Sequence, residues 1–332
     1  GAYKLANHII NEKIEFERNP LYWNDKETVI NSATFLAIEN PSTDVARYRA
    51  GDLDMTSYAL PPEQFAKLQK ELPGEVFTTR TLATYSYELN NKKAPFDNVN
   101  VRKALNLSLD RNVITDKVLG QGQTPTYVFT PTYIEEGQLI QQPAYSKEPM
   151  AQRNEEAIKL LEEAGYSKAN PLKFSILYNT NENHKKVAIA AASMWKANTK
   201  GLIDVKLENQ EWKTYIDSRR AGRYDAARAG WNADYNQATT FGNYFLSNSS
   251  NNTAKYANPE YDKAIAESYV ATDAEGRAKA YAKAEEILAK DFGIVPIFNY
   301  VNPRLVKPYV KGYSGKDPQD HIYLRNLYII KH

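Results

Sequence analysis

Between Tyr215 and Asn236 the chain reads YIDSRRAGRYDAARAGWNADYN. Within this run four arginines (Arg219, Arg220, Arg223 and Arg228) lie close in sequence to the carboxylates of Asp225 and Asp234, with the large rings of Tyr224, Trp231 and Tyr235 among them. A fixed cation and a fixed anion a few residues apart suit a zwitterion, with arginine meeting its carboxylate and aspartate its ammonium. An amino acid or short peptide has that shape. Tyr224 to Trp231, YDAARAGW, reads as a strand in which Ala226 and Ala227 are small and Gly230 lets another backbone approach closely. On a strand Arg228 and Gly230 share one face, and Asp234 falls just past the strand end, where sheets commonly place ligands. The same residues also fit a plainer arrangement, in which Arg228 and Asp234 close a structural ion network with each other or with neighbouring charges.

The elements that position this segment follow from pattern. Residues 1 to about 40 alternate like strands, in YKLANHII, KIEFERN and INSATFLAI. A short helix is expected over Thr43 to Arg49, and Pro61-Pro62 opens a second, PEQFAKLQKEL, ended by Pro73-Gly74. Thr79 to Asn90, TRTLATYSYELN, is a tyrosine-rich strand. Asn98 to Leu119 predicts one long amphipathic helix with apolar Val101, Ala104, Leu105, Leu109 and Val113. A long loop follows, GQGQTPTYVFTPTYIEEG, of a length usually functional or draped over another layer. Helix 152–164, strand 172–178, helix 184–198 and strand 203–208 then alternate, which argues for a second α/β domain. Helices Pro259–Tyr269 and Ala274–Asp291, the strand GIVPIFNYV and a tail of short strands complete the chain. Trp195 and Trp212 are expected in the core.

Composition excludes several classes. The 332 residues are 42% hydrophobic and 25% charged with a net charge of +2, which provides no broad basic field for nucleic acid or anionic lipid. No apolar run approaches the roughly 20 residues of a membrane helix. The opening GAYKLANHII has no signal-peptide pattern, as a mature or truncated chain would not. With no cysteine there is neither disulfide nor thiolate metal site. No phosphate loop and no helical His/Glu metal pair appear, and His8, His184, His321 and His332 stand in no nucleophile motif, so no cofactor or metal is called for. A glycan hydrolase or glycan-binding module is the rival class, since sugar chemistry uses carboxylates among Trp and Tyr. Asp225 and Asp234 would be its pair, but flanking arginines hold both ionised where one acid needs a raised pKa.

Four stretches carry a family pattern: APFDNVNVRKALNLSLDRNVI, RNEEAIKLLEEAGY, NPEYDKAIAES and RAKAYAKAEEILAKDFGIVPIFNY, in that order, with GRYDAARAGWNADYN between the second and third. Together they resemble the extracytoplasmic peptide-binding proteins of ABC importers (extracellular solute-binding protein family 5), and within them the branch that binds murein tripeptide. The resemblance covers essentially the whole chain. It implies an α/β, periplasmic-binding-protein-like fold, multi-lobed, with mixed β-sheets flanked by helices and a ligand cleft between lobes. The chain then looks like a C-terminal portion of a longer protein. It would hold a partial first lobe, 1–84 plus 302–332, and a third lobe, 85–301, with hinges near Leu82–Tyr87 and Tyr300–Pro303.

The function implied is that of a binding protein, not an enzyme. It would be a periplasmic monomer that captures short peptides with a free N-terminal amine, most specifically L-Ala-γ-D-Glu-meso-diaminopimelate, for the membrane subunits of an ABC importer. By position, Asp234 matches the residue that takes the ligand α-ammonium. Arg228 and Arg219 match basic residues that meet ligand carboxylates, and His184 matches another placed for the carboxylate of longer peptides. Trp231 and Tyr300 match cleft-lining aromatics. Two departures stand out: Leu119 stands where the relative has a lysine, and Ala83 and Asn232 stand where it has a pair of cross-linking cysteines.

Overall fold

Apolar and polar residues alternate through the first forty positions, and they fold as three antiparallel strands, β1 (Tyr3–Ile9), β2 (Lys13–Arg18) and β3 (Ser32–Leu36), paired in that order. The structure, a computed structural model, describes residues 1–331. Leu5, Phe16 and Ala33 stand in register across this sheet. Helix α1 (Pro41–Ala50) starts where the Asn40 side chain accepts from the Ser42 amide, and it ends on Gly51 at φ +88°, a left-handed cap that glycine adopts without strain. Helix α2 (Pro62–Glu71) follows, and Val45, Tyr48, Leu60, Phe65 and Leu68 close a small core with Leu305.

The chain divides into two compact units, Gly1–Thr81 with the residues from Val301 onward, and Leu82–Tyr300. The boundaries fall inside strands β4 (Val76–Leu89) and, further on, Ile294–Leu305.

The second unit is built on a six-stranded mixed sheet. Its members are β4, β5 (Thr124–Pro125), β6 (Leu172–Asn179), β7 (Ile203–Gln210), β8 (Ala226–Asn232) and β9 (Ile294–Leu305), in the order β5-β9-β4-β8-β6-β7. Strand β6 pairs in parallel with β7 and β8, while β4 and β8 run antiparallel. Parallel pairs need crossover helices, which here are α5 (Glu182–Asn198) and α6 (Trp212–Arg220); α3 (Val99–Leu107) and α4 (Met150–Glu163) precede them in the chain. Tyr85, Tyr87 and Leu89 of β4 pack with Leu105, Ile176, Ala188 and Trp195 in the main core. A second core joins Leu82 and Phe129 to α7 (Thr239–Gly242), α8 (Pro259–Val270) and α9 (Ala274–Lys290). The tail adds the short pair β10 (Val310–Lys311) and β11 (Tyr328–Ile329).

The long helix expected over Asn98 to Leu119 is broken. α3 stops at Leu107, where the Ser108 hydroxyl bonds back to the Ala104 carbonyl at 2.6 Å. A wide helical segment, Val113–Leu119, restarts under the Asp110 carboxylate, which accepts from the Asn112 amide at 3.0 Å. Arg111 at the break is fully buried, and it donates to the carbonyls of Thr126 (3.0 Å), Pro296 (2.7 Å) and Asn106 (3.0 Å). Satisfying that guanidinium decides the local backbone over helical propensity.

Candidate functional site

Strand β8 carries the site. Its alternation sends Arg228 and Gly230 to one face, where Arg228 sets its guanidinium carbon 5.1 Å from the centre of the Tyr85 ring. Arg228 Nη2 donates to the Tyr300 hydroxyl, and Nη1 reaches Asn179 Oδ1 at 3.5 Å. The Tyr215 hydroxyl donates to the Arg228 carbonyl and fixes the backbone from the α6 side. His184 joins them, its ring centre 5.6 Å from that of Tyr85. Asn179 ends β6, and the Asn181 side chain caps the start of α5, so the β6–α5 turn delivers both Asn179 and His184 to Arg228.

Charge is unmatched here. Arg228 forms no ion pair with a carboxylate among the described residues, and its buried Nε has no hydrogen-bond partner, nor have the hydroxyls of Tyr85 and Tyr87. Burial acts to lower the Arg228 pKa and is outweighed by the oxygens of Tyr300, Tyr215 and Tyr85, so the group stays a cation. Burial first, and the Arg228 charge second, hold the His184 imidazole well below its ordinary pKa. The cluster therefore offers one positive charge, a neutral imidazole and phenolic donors, a fitting seat for a carboxylate.

Gly230 is required for space. A Cβ there would stand 2.9 Å from both Arg228 Nη2 and the Tyr300 hydroxyl. The sequence suggested close approach of another backbone; side chains fill the gap instead.

Asp234 lies beyond the end of β8, exposed, with its amide donating to the Thr240 hydroxyl at 3.1 Å. Trp231 Nε1 donates to the Thr240 carbonyl at 2.9 Å, and its ring packs on Tyr244 at 4.8 Å. Trp231 and the Asp234 amide thus both bond to Thr240.

Arg219, expected to meet a ligand carboxylate, is already engaged by partners within the protein. Its Nη2 lies 3.0 Å from Glu88 Oε2 and 3.1 Å from the hydroxyls of Tyr244 and Thr253, all buried. Glu88 alternates with Tyr85 and Tyr87 along β4, so Arg219 and Arg228 work on opposite faces of the β4–β8 pair. A ligand carboxylate at Arg219 would compete with Glu88. Trp212 corrects the reading in the other direction: Trp195 is core, but Trp212 is 54% exposed and stacks on Tyr215. It opens α6 directly after β7, at the C-terminal edge of the parallel strands, where open α/β sheets bind ligands. Tyr85 and Asn179 were also missed; each reads in sequence as an ordinary strand residue.

The carboxylate pair of a hydrolase is not assembled. Asp225 and Asp234 flank β8 at opposite ends, so at about 3.3 Å per residue they stand far beyond the roughly 5 Å of a retaining pair. Burial would raise Asp225, but Lys93 at 2.6 Å and Ser175 outweigh it and hold the carboxyl below its usual range. Among the described residues no group of three acidic, histidine or cysteine side chains is placed to hold a metal ion, and no helix is long and apolar enough to cross a membrane.

Residues 1–253 match the model of the bacterial extracellular solute-binding proteins, family 5 middle region. The chain belongs to this family. Its members are solute-binding proteins, not enzymes. The chain is 97% identical over all 332 residues to the periplasmic oligopeptide-binding protein OppA of Haemophilus influenzae, of which it spans 61%. Among solved structures it is similar to that protein in complex with the peptide RPPGFSPFR (TM-score 0.96, 96% identity, all of this chain and 64% of the other). It is also similar to the Escherichia coli murein tripeptide-binding protein MppA (TM-score 0.94, 43% identity, again all of this chain and 64% of the other). The chain thus spans less than two thirds of the relatives it matches. The cysteine departure has a clear geometry in this family member: Ala83 faces Asn232 across β4 and β8. The neighbouring Ala233 amide bonds to the Leu82 carbonyl at 2.8 Å, so Ala83 and Asn232 form the closer, non-hydrogen-bonded kind of pair. Leu119, the other departure, is buried in the main core.

Proposed function

We propose that this chain carries the terminus-recognising part of a periplasmic protein that captures peptides and delivers them to the membrane subunits of an ABC importer. The observation that carries the reading is Arg228, a half-buried arginine with a buried Nε and no carboxylate partner among the described residues, on the same strand that leads to exposed Asp234. Six residues separate them in sequence, at most about 20 Å at ~3.3 Å per residue, the last two of them past the strand end. The Arg228 guanidinium leans along the strand as far as Gly230, so a peptide of about three to five extended residues spans what remains of the gap. Asp234 takes the ammonium and Arg228 the carboxylate, with His184, Tyr300 and Trp212 around the ligand and backbone hydrogen bonds holding its middle. Recognition of termini and backbone leaves ligand side chains uncommitted, which suits a broad range of peptides. The relative at 96% identity holds the nine-residue RPPGFSPFR, so a longer ligand would keep the Asp234 end and run past Arg228.

The narrower ligand, murein tripeptide, has support from the relative at 43% identity. Its several carboxylates ask for more than one open cation, and Arg219 is engaged by Glu88. General peptide capture is therefore the reading we favour.

Calorimetric titration of the chain with tri-lysine, N-acetyl-tri-lysine, C-amidated tri-lysine and murein tripeptide tests it. Tri-lysine is expected to bind, with acetylation weakening it through Asp234 and amidation through Arg228. Equal affinity for the free and acetylated peptides would refute the ammonium role. Murein tripeptide binding far above tri-lysine would restore the narrower ligand.

A further inference from the structure

The turn that bears Asp234 is held by a device in which one residue, Glu136, is strained. Glu136 sits in the long loop after β5, at φ +64° and 6% exposed. A glutamate rarely takes that left-handed conformation, and it persists only where surroundings over-determine it. Here they do. Arg277 Nη2 and Nε reach Glu136 Oε1 at 2.6 and 2.7 Å, and Gln237 Nε2 donates to Oε2. Gln237 lies three residues after Asp234. Its Oε1 accepts from the Thr239 amide at 3.0 Å, and its Nε2 also meets the Tyr281 hydroxyl at 3.0 Å. Backbone contacts double the link: the Ala238 amide donates to the Glu135 carbonyl at 3.0 Å, and the Glu135 amide to Asn236 Oδ1 at 3.2 Å.

Helix α9 supplies the anchor. Arg277, Tyr281 and Glu285 recur every four residues on it, so they share one face. Arg277 holds Glu136, Tyr281 holds Gln237, and the Glu285 carboxylate accepts from the Thr130 hydroxyl at 2.7 Å and from the amides of Phe129 and Thr130. Three rungs on one rigid helix thus fix the loop and the turn together.

We propose that Glu136 is a positioning residue for ligand recognition: through Gln237 and Arg277 it sets the Tyr235–Ala238 turn and so the place of the Asp234 carboxylate. This rests on the reading that Asp234 takes the ligand ammonium. Glu136 touches no ligand in this scheme.

The test compares wild type, Glu136→Gln, Arg277→Ala, Arg277→Lys and Asp234→Ala by titration with tri-lysine and N-acetyl-tri-lysine, and by hydrogen exchange of the Ala238 and Thr239 amides. Glu136→Gln is expected to weaken tri-lysine about tenfold, the scale of a lost charge-assisted hydrogen bond, and to leave the acetylated peptide unchanged. In the Asp234→Ala background the same substitution should have no further effect, and Arg277→Lys should retain more affinity than Arg277→Ala. Faster exchange at Ala238 and Thr239 in Glu136→Gln is the ligand-independent signature. Equal weakening of both peptides, or an effect that survives in Asp234→Ala, would overturn the proposal by showing a general loss of structure. Unchanged exchange would overturn it whatever the peptides do. If Asp234→Ala binds tri-lysine as well as wild type, the ammonium reading falls, while the exchange result still tells whether Glu136 orders the turn.

Discussion

Two arginines nine residues apart in sequence sit on opposite faces of the β4–β8 pair and have opposite fates. Arg219 is enclosed with Glu88, Tyr244 and Thr253, its charge matched within the protein. Arg228 is enclosed among Tyr85, Tyr300 and Asn179 with no carboxylate, its charge left for something else. Type and spacing were alike in the sequence; the partner separates them. A cation with an internal counter-ion serves the structure, and one without is the candidate that the proposed reading assigns to a ligand.

The largest effect should come from breaking the matched side. Glu88→Ala strands Arg219 and is expected to cost about 3 to 5 kcal/mol in urea unfolding, the scale of a broken buried ion pair. The double change Glu88→Leu with Arg219→Met should recover most of that loss, because two apolar groups leave no unpaired charge. If Glu88→Ala costs less than about 1 kcal/mol, Arg219 has another outlet and the contrast with Arg228 weakens.

Arg228→Ala reverses the pattern. Stability should hold, since no carboxylate is orphaned, while tri-lysine affinity falls on the order of 2 to 5 kcal/mol and C-amidated tri-lysine is hardly affected. A variant that loses stability and binds both peptides unchanged would show that Arg228 is structural.

Much of this frame was legible in advance because its signals are local. The strand YDAARAGW appears as β8 from Ala226, and Arg228 shares a face with Gly230 as the period-2 rule requires. The α/β alternation from residue 152 to 208 became α4, β6, α5 and β7, because periodicity and caps such as Asn181 act within a few residues. What sequence did not show was set by distant partners. Glu88, 131 residues before Arg219, reads as one more polar strand position in TYSYEL. Asn106, Thr126 and Pro296 break the helix at Arg111 from three separate segments. Trp212 looked like core by residue type, yet its place at a strand edge exposes it.

A smaller effect sharpens the open side. In Gly230→Ala the new methyl meets the ends of two side chains, Arg228 Nη2 and the Tyr300 hydroxyl, and both can give way. Stability should fall by about 1 kcal/mol, the low end for overpacking. Carboxylate recognition should suffer more than stability, seen as a weaker preference for tri-lysine over its C-amide. No change in that preference would mean the Arg228–Tyr300 contact does not set the seat.

The smallest effect is read by pH. His184 has its pKa depressed, by burial and then by the Arg228 charge. A group with a depressed folded pKa contributes stability that is present above its unfolded value and lost as pH falls through the folded one. The unfolded value is about 6.5, so the chain should begin to lose stability as pH drops below that, and His184→Asn should flatten the slope between about pH 6.5 and 5. Ligand should shift the same window: a carboxylate beside Arg228 neutralises the charge that repels the proton, raising the His184 pKa and giving slight proton uptake on binding. Arg219, already neutralised by Glu88, should show no such uptake, so titration in two buffers of different ionisation enthalpy at pH 6 separates the two arginines. Proton uptake that persists in His184→Asn would place the titrating group elsewhere.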